Sequence, residues 1–322
     1  MGFNRKKEFY ERLGNIEEIS VFSPVMIHIR EVANNPRSSA TDLANVILRD
    51  HSLGTKVLKL ANSVAFNAGG KPVNTLTQAV VQVGFDEVKH LALSVSLFES
   101  FRGSVSDTFK FEYFWAHSLA VGICAQRFAN VLWKGRTEEA FVAGFLHDLG
   151  KLIITRYAPA DWDEINDRVN RGFTTRQAEF QQIGTYHTDV GAHFAERWKF
   201  PPHVIEAMRG HHPSNTELKD RQVRGGPPTI ADIIYLANLF GNLIFRSPLG
   251  RRKSHEEIIV EASRLFNISR VSFGKILQSI RKAVYDTAEE LSVALSKPLR
   301  LEDIPEEMSR EEIQAQFQQV QR

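Results

Sequence analysis

The side chains best suited to chemistry in this chain are histidine and aspartate. Seven of its eleven histidines lie between His117 and His212, in less than a third of the 322 residues. Imidazole nitrogens and carboxylates together are ligands that iron, manganese, zinc and nickel accept. The single cysteine, Cys124, excludes an intramolecular disulfide and a Cys-rich zinc module. The pattern therefore indicates a metal centre built from imidazole and carboxylate groups.

The sharpest local feature is His147 followed directly by Asp148 within a strongly apolar run, residues 141–151. Burying a charged carboxylate there costs several kcal/mol, in rough terms, unless a cation or hydrogen bonds compensate it. A metal ion is the simplest source of the positive charge that this carboxylate needs. Adjacent residues on a helix point about 100° apart, so an ion shared by both must sit over the groove between them. Asp148 could then bridge two ions while His147 binds one.

Other helices would have to supply the remaining ligands. His117 and Asp232 could complete a four-ligand set with the pair, while His187 and the adjacent His211 and His212 could bind a second ion. A lone buried histidine is more often a hydrogen-bonded core residue than a ligand, so the prediction depends on the joint pattern. The other six histidines are expected to be ordinary surface or core residues: His28, His51, His90, His193, His203 and His255.

The elements that must position these residues all show helical periodicity. Apolar residues recur at spacings of three and four through nearly every segment, and no run alternates with period two, so the prediction is an all-α protein. Ser39 and Asp42 resemble a capping box, and Asp86 is expected to cap a helix. One helix is predicted over 137–157 and another over 270–295, with loops at 101–108, 212–228 and 246–254.

Three regions are expected along the chain. Residues 1–104 form an N-terminal helical part, 105–245 a part that holds the metal ligands, and 246–322 a helical extension. The extension's tail, from Glu302 onward, is expected to be frayed or dependent on a partner.

Composition limits the partners and the location. Forty Lys and Arg residues against 38 Asp and Glu give a net charge of +2, which provides no global attraction to nucleic-acid phosphates or an anionic membrane. Residues 1–15 lack the apolar segment of a signal peptide, so a cytoplasmic location is expected. The most apolar stretch, 230–245, is too short and polar to span a bilayer.

Two long segments carry a resemblance to a known family. The first includes ILRDHSLGTKVLKLANS at 47–63, TLTQA at 75–79 and VGF at 83–85. The second includes WAH at 115–117, AGFLHDLGK at 143–151, HTDVGA at 187–192 and WKFP at 198–201. Residues from about 16 to about 215 thus resemble the HDOD domain. That domain is a helical relative of the HD and HD-GYP metal-dependent phosphohydrolases and usually serves as a bacterial signalling module.

The resemblance implies a fold and a ligand set. It implies an HD-domain-like helical bundle with an N-terminal helical subdomain and one or two divalent transition metal ions, iron or manganese favoured and zinc or nickel possible. Lys151 resembles the lysine that contacts the scissile phosphate in HD-GYP enzymes. The positions that match the metal ligands of those enzymes are His117, His147, Asp148, His187, His211, His212 and Asp232.

The chain departs from the HD-GYP pattern at three points. Pro213 follows the double histidine where those enzymes have a glutamate, the downstream Gly-Tyr-Pro signature is missing, and Tyr113 stands four residues before the first histidine where some have a glutamate. Metal binding and catalysis are therefore separate predictions.

Two hypotheses of different classes follow. The favoured one is a signalling module that binds a protein partner or a small phosphorylated ligand without turnover. The alternative is a phosphohydrolase or phosphodiesterase in which Asp148 bridges two ions and Lys151 adds positive charge at the phosphate.

Overall fold

The computed structural model describes residues 2–13, 23–63, 66–67, 70–132, 136–224, 226–244 and 255–266, together with 280, 283, 284 and 287. Within these residues the chain forms helices and no strands, which confirms the all-α prediction. The helices are α1 (Gly2–Leu13), α2 (Pro24–Asn34), α3 (Ala40–Ile47), α4 (His51–Asn62), α5 (Leu76–Val83), α6 (Phe85–Phe101), α7 (Phe111–Leu132), α8 (Thr137–Leu146), α9 (Leu149–Tyr157), α10 (Pro159–Asn170), α11 (Thr175–Ile183), α12 (His187–Arg197), α13 (Pro202–Gly210), α14 (Asn215–Arg224), α15 (Ile230–Ile244) and α16 (His255–Phe266).

Polar side chains set several helix starts. The Ser39 hydroxyl accepts from the backbone N–H of Asp42, whose carboxylate accepts from the backbone N–H of Ser39, so the predicted capping box begins α3. The predicted cap at Asp86 is wrong, because α6 begins one residue earlier, directly after Gly84 at φ +120°, and has no side-chain cap. Asp86 instead pairs with Lys89 on the same helix.

The helices pack in two connected groups. In the N-terminal part, α2, α3, α4 and α5 pack against one another and against α6. In the second part, α7 lies between α8 and α15, and α13 contacts α8, α12 and α15, while α12 packs on α9. Contact between α6 and α8 joins the groups, and one contiguous apolar core runs through both. The proposed boundary at 104/105 falls between α6 and α7; as a division into domains it stays a prediction.

The structure differs from the sequence prediction at the His147–Asp148 pair. The predicted helix over 137–157 is two helices, because α8 ends at Leu146 and α9 begins at Leu149. Asp148 has φ −99° and ψ 13°, outside the helical range, so the chain bends at the pair. The bend lets two adjacent side chains turn toward one point, which a continuous helix would hold about 100° apart.

Two further differences concern the C-terminal half. The predicted loop over 212–228 contains α14, a polar helix. The helix predicted over 270–295 and the tail from Glu302 lie almost entirely outside the described residues. No helix in the described ranges is long and apolar enough to cross a membrane.

Candidate metal centre

The structure brings six of the seven predicted metal ligands together. They form two groups that share Asp148: one contains Asp148, His187, His211 and His212, and the other contains His117, His147 and Asp148. In each group the ligand atoms lie within 4.8 Å of one another. The six residues come from the second turn of α7 (His117), the bend between α8 and α9 (His147, Asp148), the first residue of α12 (His187) and the two residues directly after α13 (His211, His212).

The Asp148 carboxylate lies at the centre of this cluster. Its Oδ1 is 3.2 Å from Nε2 of His187 and 3.4 Å from Nε2 of His211. Its Oδ2 is 3.3 Å from Nε2 of His147 and 4.0 Å from Nε2 of His117. Each oxygen thus faces a different set of imidazoles, which is the arrangement a carboxylate bridging two ions requires.

The other ring nitrogen of two histidines is fixed by a backbone carbonyl. Nδ1 of His147 lies 2.7 Å from the carbonyl oxygen of Gly144, and Nδ1 of His211 lies 2.9 Å from that of Met208. Since a carbonyl oxygen only accepts hydrogen bonds, these Nδ1 atoms carry the hydrogen. In the neutral ring Nε2 then presents a lone pair, and both Nε2 atoms point at Asp148. Lone pairs facing a carboxylate repel it unless a cation lies between them.

His187 is held by a carboxylate. Its Nδ1 lies 2.7 Å from Oε1 of Glu179, and its backbone N–H donates to Oε2 of the same residue at 3.2 Å. Glu179 is fully buried in α11. Metal-binding histidines commonly donate their second ring nitrogen to a carboxylate in this way, which fixes the ring and raises its basicity.

Burial and neighbouring charges set the protonation of the cluster. Burial, followed by the nearby His147, lowers the pKa of His117 to about 3; burial also lowers that of His211 to about 3. Burial acts to lower the pKa of His187 as well, but Glu179 and Asp148 outweigh it, and the pKa is raised. Burial would raise the pKa of Asp148, yet the positive charge of Lys151 acts in the opposite direction and the pKa lies well below its ordinary value, so the carboxylate is charged.

The donor set fits a divalent transition metal. Nε2 of His147 and Oδ1 of Asp148 are buried and have no hydrogen-bond partner, and polar atoms in that state are rare in folded proteins. Imidazole nitrogens with one carboxylate match iron, manganese, zinc or nickel. Nζ of Lys151, 2.6 Å from Oδ2 of Asp148, neutralises part of the carboxylate charge.

Close helix contacts bring the ligands into reach of one another. A Cβ at Gly150 would lie 1.9 Å from the backbone oxygen of His187, so only glycine lets α9 approach the start of α12. On the other side, a Cβ at Gly241 would lie 3.2 Å from Cε1 of His117, and this places α15 directly against the His117 ring.

Asp232, the seventh predicted ligand, lies outside both groups. Its Oδ2 accepts from the backbone N–H of Thr229 at 2.8 Å, and the Thr229 hydroxyl accepts from the backbone N–H of Asp232. The same oxygen is 3.0 Å from Nε of Arg221. Asp232 therefore closes a capping box at the start of α15 and pairs with α14.

Two residues near the cluster were missing from the sequence prediction. Asn238 is buried on α15, and its side chain interacts with His117. Glu179, the partner of His187, is the other. Five of the histidines predicted to be ordinary lie outside the two groups, namely His28, His51, His90, His193 and His203, while the side chain of His255 is outside the described part of the chain.

The chain is similar in sequence and in fold to several known proteins. An uncharacterized protein of Treponema pallidum (strain Nichols) is 25% identical over 199 residues, which are 61% of this chain but only 38% of that protein. The fold is similar to that of an HDOD domain protein of unknown function from Geobacter sulfurreducens, with a TM-score of 0.65 and 21% identity over 87% of this chain and 98% of the other.

A second solved structure, named as a candidate phosphohydrolase from Shewanella amazonensis SB2B, has a TM-score of 0.66 and 22% identity over 87% of this chain and 97% of its own. Both similarities concern the fold. The profile of the HDOD domain matches residues 19–214. Because this match covers more than half of the chain and includes all six clustered ligand positions, the chain belongs to the HDOD domain family.

Proposed function

We propose that this chain is a bacterial signalling module that holds a divalent transition metal in its buried His–Asp cluster and acts by binding a ligand or a protein. The observation that carries the proposal is the convergence of unprotonated imidazole nitrogens on the charged carboxylate of Asp148. Nε2 of His147 and Nε2 of His211 lie 3.3 and 3.4 Å from its oxygens while both Nδ1 atoms are occupied by carbonyls. A cation between these atoms removes their repulsion.

The burial of the cluster favours binding over turnover. The exposed fractions of His117, His147, Asp148, His187 and His211 are 6%, 1%, 2%, 1% and 0%. A catalytic metal needs an open coordination position that substrate or water can reach. Ligands so enclosed suit an ion that stabilises one conformation of the module.

A specific feature supports the alternative, a metal-dependent phosphohydrolase. Lys151 and His212 are both half-buried, and they form a partly exposed edge of the cluster. Ions bound at Asp148 would activate a water and stabilise charge on phosphoryl oxygens. Lys151, already 2.6 Å from Asp148, would hold a phosphate at that edge.

Metal analysis tests whether the His–Asp cluster binds metal. Protein purified without chelator is expected to hold at least one transition metal ion per chain, and Asp148→Asn should abolish it. Asp232→Asn is the matched control, because that carboxylate caps α15 outside the cluster and its loss should leave the metal content unchanged. If the wild-type protein contains no metal, and takes up none after chelator treatment, the proposal that the cluster binds metal is wrong.

A turnover assay separates the two functions. The metal-loaded protein is incubated with phosphomonoester and phosphodiester substrates in the presence of iron or manganese. If the chain is a signalling module, hydrolysis should not exceed that of a control without protein, although metal is bound. Hydrolysis that Asp148→Asn abolishes and Asp232→Asn preserves would establish the phosphohydrolase instead.

A further inference from the structure

A cavity of about 450 Å³ lies between α1 and α12, with α13 at its side. This volume is within the range of small-molecule sites in proteins. On α12 its wall is formed by Asp189, His193, Glu196 and Arg197, whose spacing places them on one face of the helix. None of the cavity residues belongs to the metal cluster. The helix α1 that closes the cavity lies outside the region matched by the HDOD profile, residues 19–214.

Basic residues from three helices meet at the cavity. Lys6 comes from α1, Arg197 from α12 and Arg209 from α13. Two carboxylates also line the cavity: Glu196 pairs with Arg209 at 2.7 Å, and Asp189 accepts from the hydroxyl of Thr185 at 3.2 Å.

The electrostatic effect of these cations is visible at His193. Its pKa is lowered, first by burial and then by Arg197, while Arg209 and Lys6 act in the same direction and Glu196 opposes them. With three cations and two carboxylates, the lining carries one net positive charge, and the three cations act together at His193, which favours an anion there.

Aromatic side chains form the remaining wall. The rings of Tyr10 and His193 meet edge to face with centroids 5.0 Å apart, and Phe194 lies 5.3 Å from His193 on the same helix. Tyr10 directs its hydroxyl to Thr185, so its polar end is satisfied and its ring is left to line the cavity. Aromatic faces beside cations are the usual means of recognising a base that carries phosphate.

We infer that this cavity binds a small phosphorylated molecule with a flat ring, the chemistry of a nucleoside diphosphate, between Tyr10 and His193 on one side and Lys6, Arg197 and Arg209 on the other. The site goes beyond the proposed function, since it requires no metal. The back wall of the cavity is α12, which begins with His187, so the ligand would contact the helix that carries one residue of the metal cluster.

Calorimetric titration of the full chain tests the inference. Chelator-treated protein is titrated with ADP, GDP and inorganic pyrophosphate in magnesium-free buffer. One nucleotide per chain is expected, and Lys6→Gln and Arg209→Gln should each weaken it about tenfold, as expected for loss of one charge-assisted contact. Pyrophosphate should bind more weakly than either nucleotide, because it lacks the ring.

Matched charge changes outside the cavity serve as controls. Lys7 is exposed on α1 beside Glu11, and Arg171 is exposed directly after α10 beside Asp167, as Arg209 is beside Glu196. K7Q and R171Q should leave nucleotide binding unchanged. Three results would overturn the inference: no binding at millimolar nucleotide, equal losses in the control variants, or binding that appears only after metal loading and survives K6Q and R209Q. The last result would place the anion at the metal cluster. Metal content, measured on the same samples, tests metal binding by the cluster independently of nucleotide binding.

Discussion

At the scale of single residues, the cluster depends on which nitrogen of each imidazole carries hydrogen. Carbonyls of α8 and α13 hold Nδ1 of His147 and His211, and Glu179 holds that of His187. These contacts aim every Nε2 at Asp148 before any ion arrives. The site is therefore preorganised for metal by groups that do not touch the metal.

Glu179→Gln tests whether a residue that does not bind the metal orients one of the ligands, His187. The amide retains the size of the side chain but removes the charge and can present an N–H to His187, which disturbs the ring's orientation. Metal affinity should fall by about 10- to 100-fold, the usual cost of losing such a supporting contact. The measurement is competition with a chromophoric chelator.

Glu164→Gln is the control for Glu179→Gln. Glu164 is a half-exposed residue of the adjacent helix α10 that pairs with Arg168. Its substitution should leave metal affinity at the wild-type value. Equal affinities in E179Q and wild type would show that Glu179 does not position His187.

Residue type and joint pattern were enough to predict which histidines meet. Asp232 was also predicted to be a ligand, but it lies outside the cluster for a local reason: it forms a capping pair with Thr229, three residues earlier. A threonine followed three residues later by an aspartate is the sequence pattern that indicates a helix start. Glu179 gave no such sign. It lies in a helix with no marked apolar face, and only the tertiary contact with His187 reveals its role.

At the scale of elements, the site depends on how closely α9 and α12 approach. Gly150 and Gly191 face each other across the contact: a Cβ at Gly191 would lie 3.0 Å from the backbone nitrogen of Gly150. This contact sets the distance between Asp148, just before α9, and His187, at the start of α12.

Gly150→Ala should separate these two helices. Its Cβ would lie 1.9 Å from the backbone oxygen of His187, so α12 has to move. Such overpacking costs about 1–3 kcal/mol. We expect a lower urea midpoint and a loss of metal affinity in the same variant.

Gly54→Ala is the matched control. Gly54 is also a buried helical glycine, but its Cβ would meet nothing closer than 3.6 Å, an ordinary contact. Alanine there should preserve metal affinity and raise stability by up to about 1 kcal/mol, because alanine favours the helix. Wild-type stability and affinity in Gly150→Ala would contradict the role given to the close approach.

Helices with polar caps were the most predictable elements. The predicted capping box at Ser39 locates the start of α3. The bend between α8 and α9 carries no such signal, since residues 141–153 are apolar on both sides of it. The bend is set by the tertiary requirement that His147 and Asp148 face the same centre.

At the scale of the whole molecule, both groups of helices share one core, and a half-buried histidine lies near the contact between them. His90 on α6 is surrounded by Lys89 and Asp86 of its own helix, by Glu139 of α8 and by His203 of α13. Burial, followed by Lys89, lowers the pKa of His90 to about 4. The native state therefore disfavours the proton that the unfolded chain accepts.

The pH dependence follows from this difference. Because the folded pKa is below the unfolded value of about 6.5, His90 costs nothing at neutral pH and destabilises the protein as pH falls from about 6.5 toward about 4. Its contribution at pH 5.5 is about 1 kcal/mol. His90→Gln should lose less stability than wild type between pH 7.5 and pH 5.5, measured by urea unfolding of metal-free protein.

His51 provides the comparison for His90, since it is exposed at the start of α4. His51→Gln should keep the wild-type difference between the two pH values. If His90→Gln also kept it, the contribution assigned to His90 would be wrong.

We propose above all that the cluster around Asp148 holds metal. The most direct measurement is anomalous diffraction from crystals of the wild-type chain, recorded on both sides of the iron or manganese absorption edge after loading with that ion. We expect at least one anomalous peak within bonding distance of an Asp148 oxygen and of Nε2 of His147, His187 or His211. Fully loaded crystals with no peak there, and with these nitrogens hydrogen-bonded to water, would contradict it.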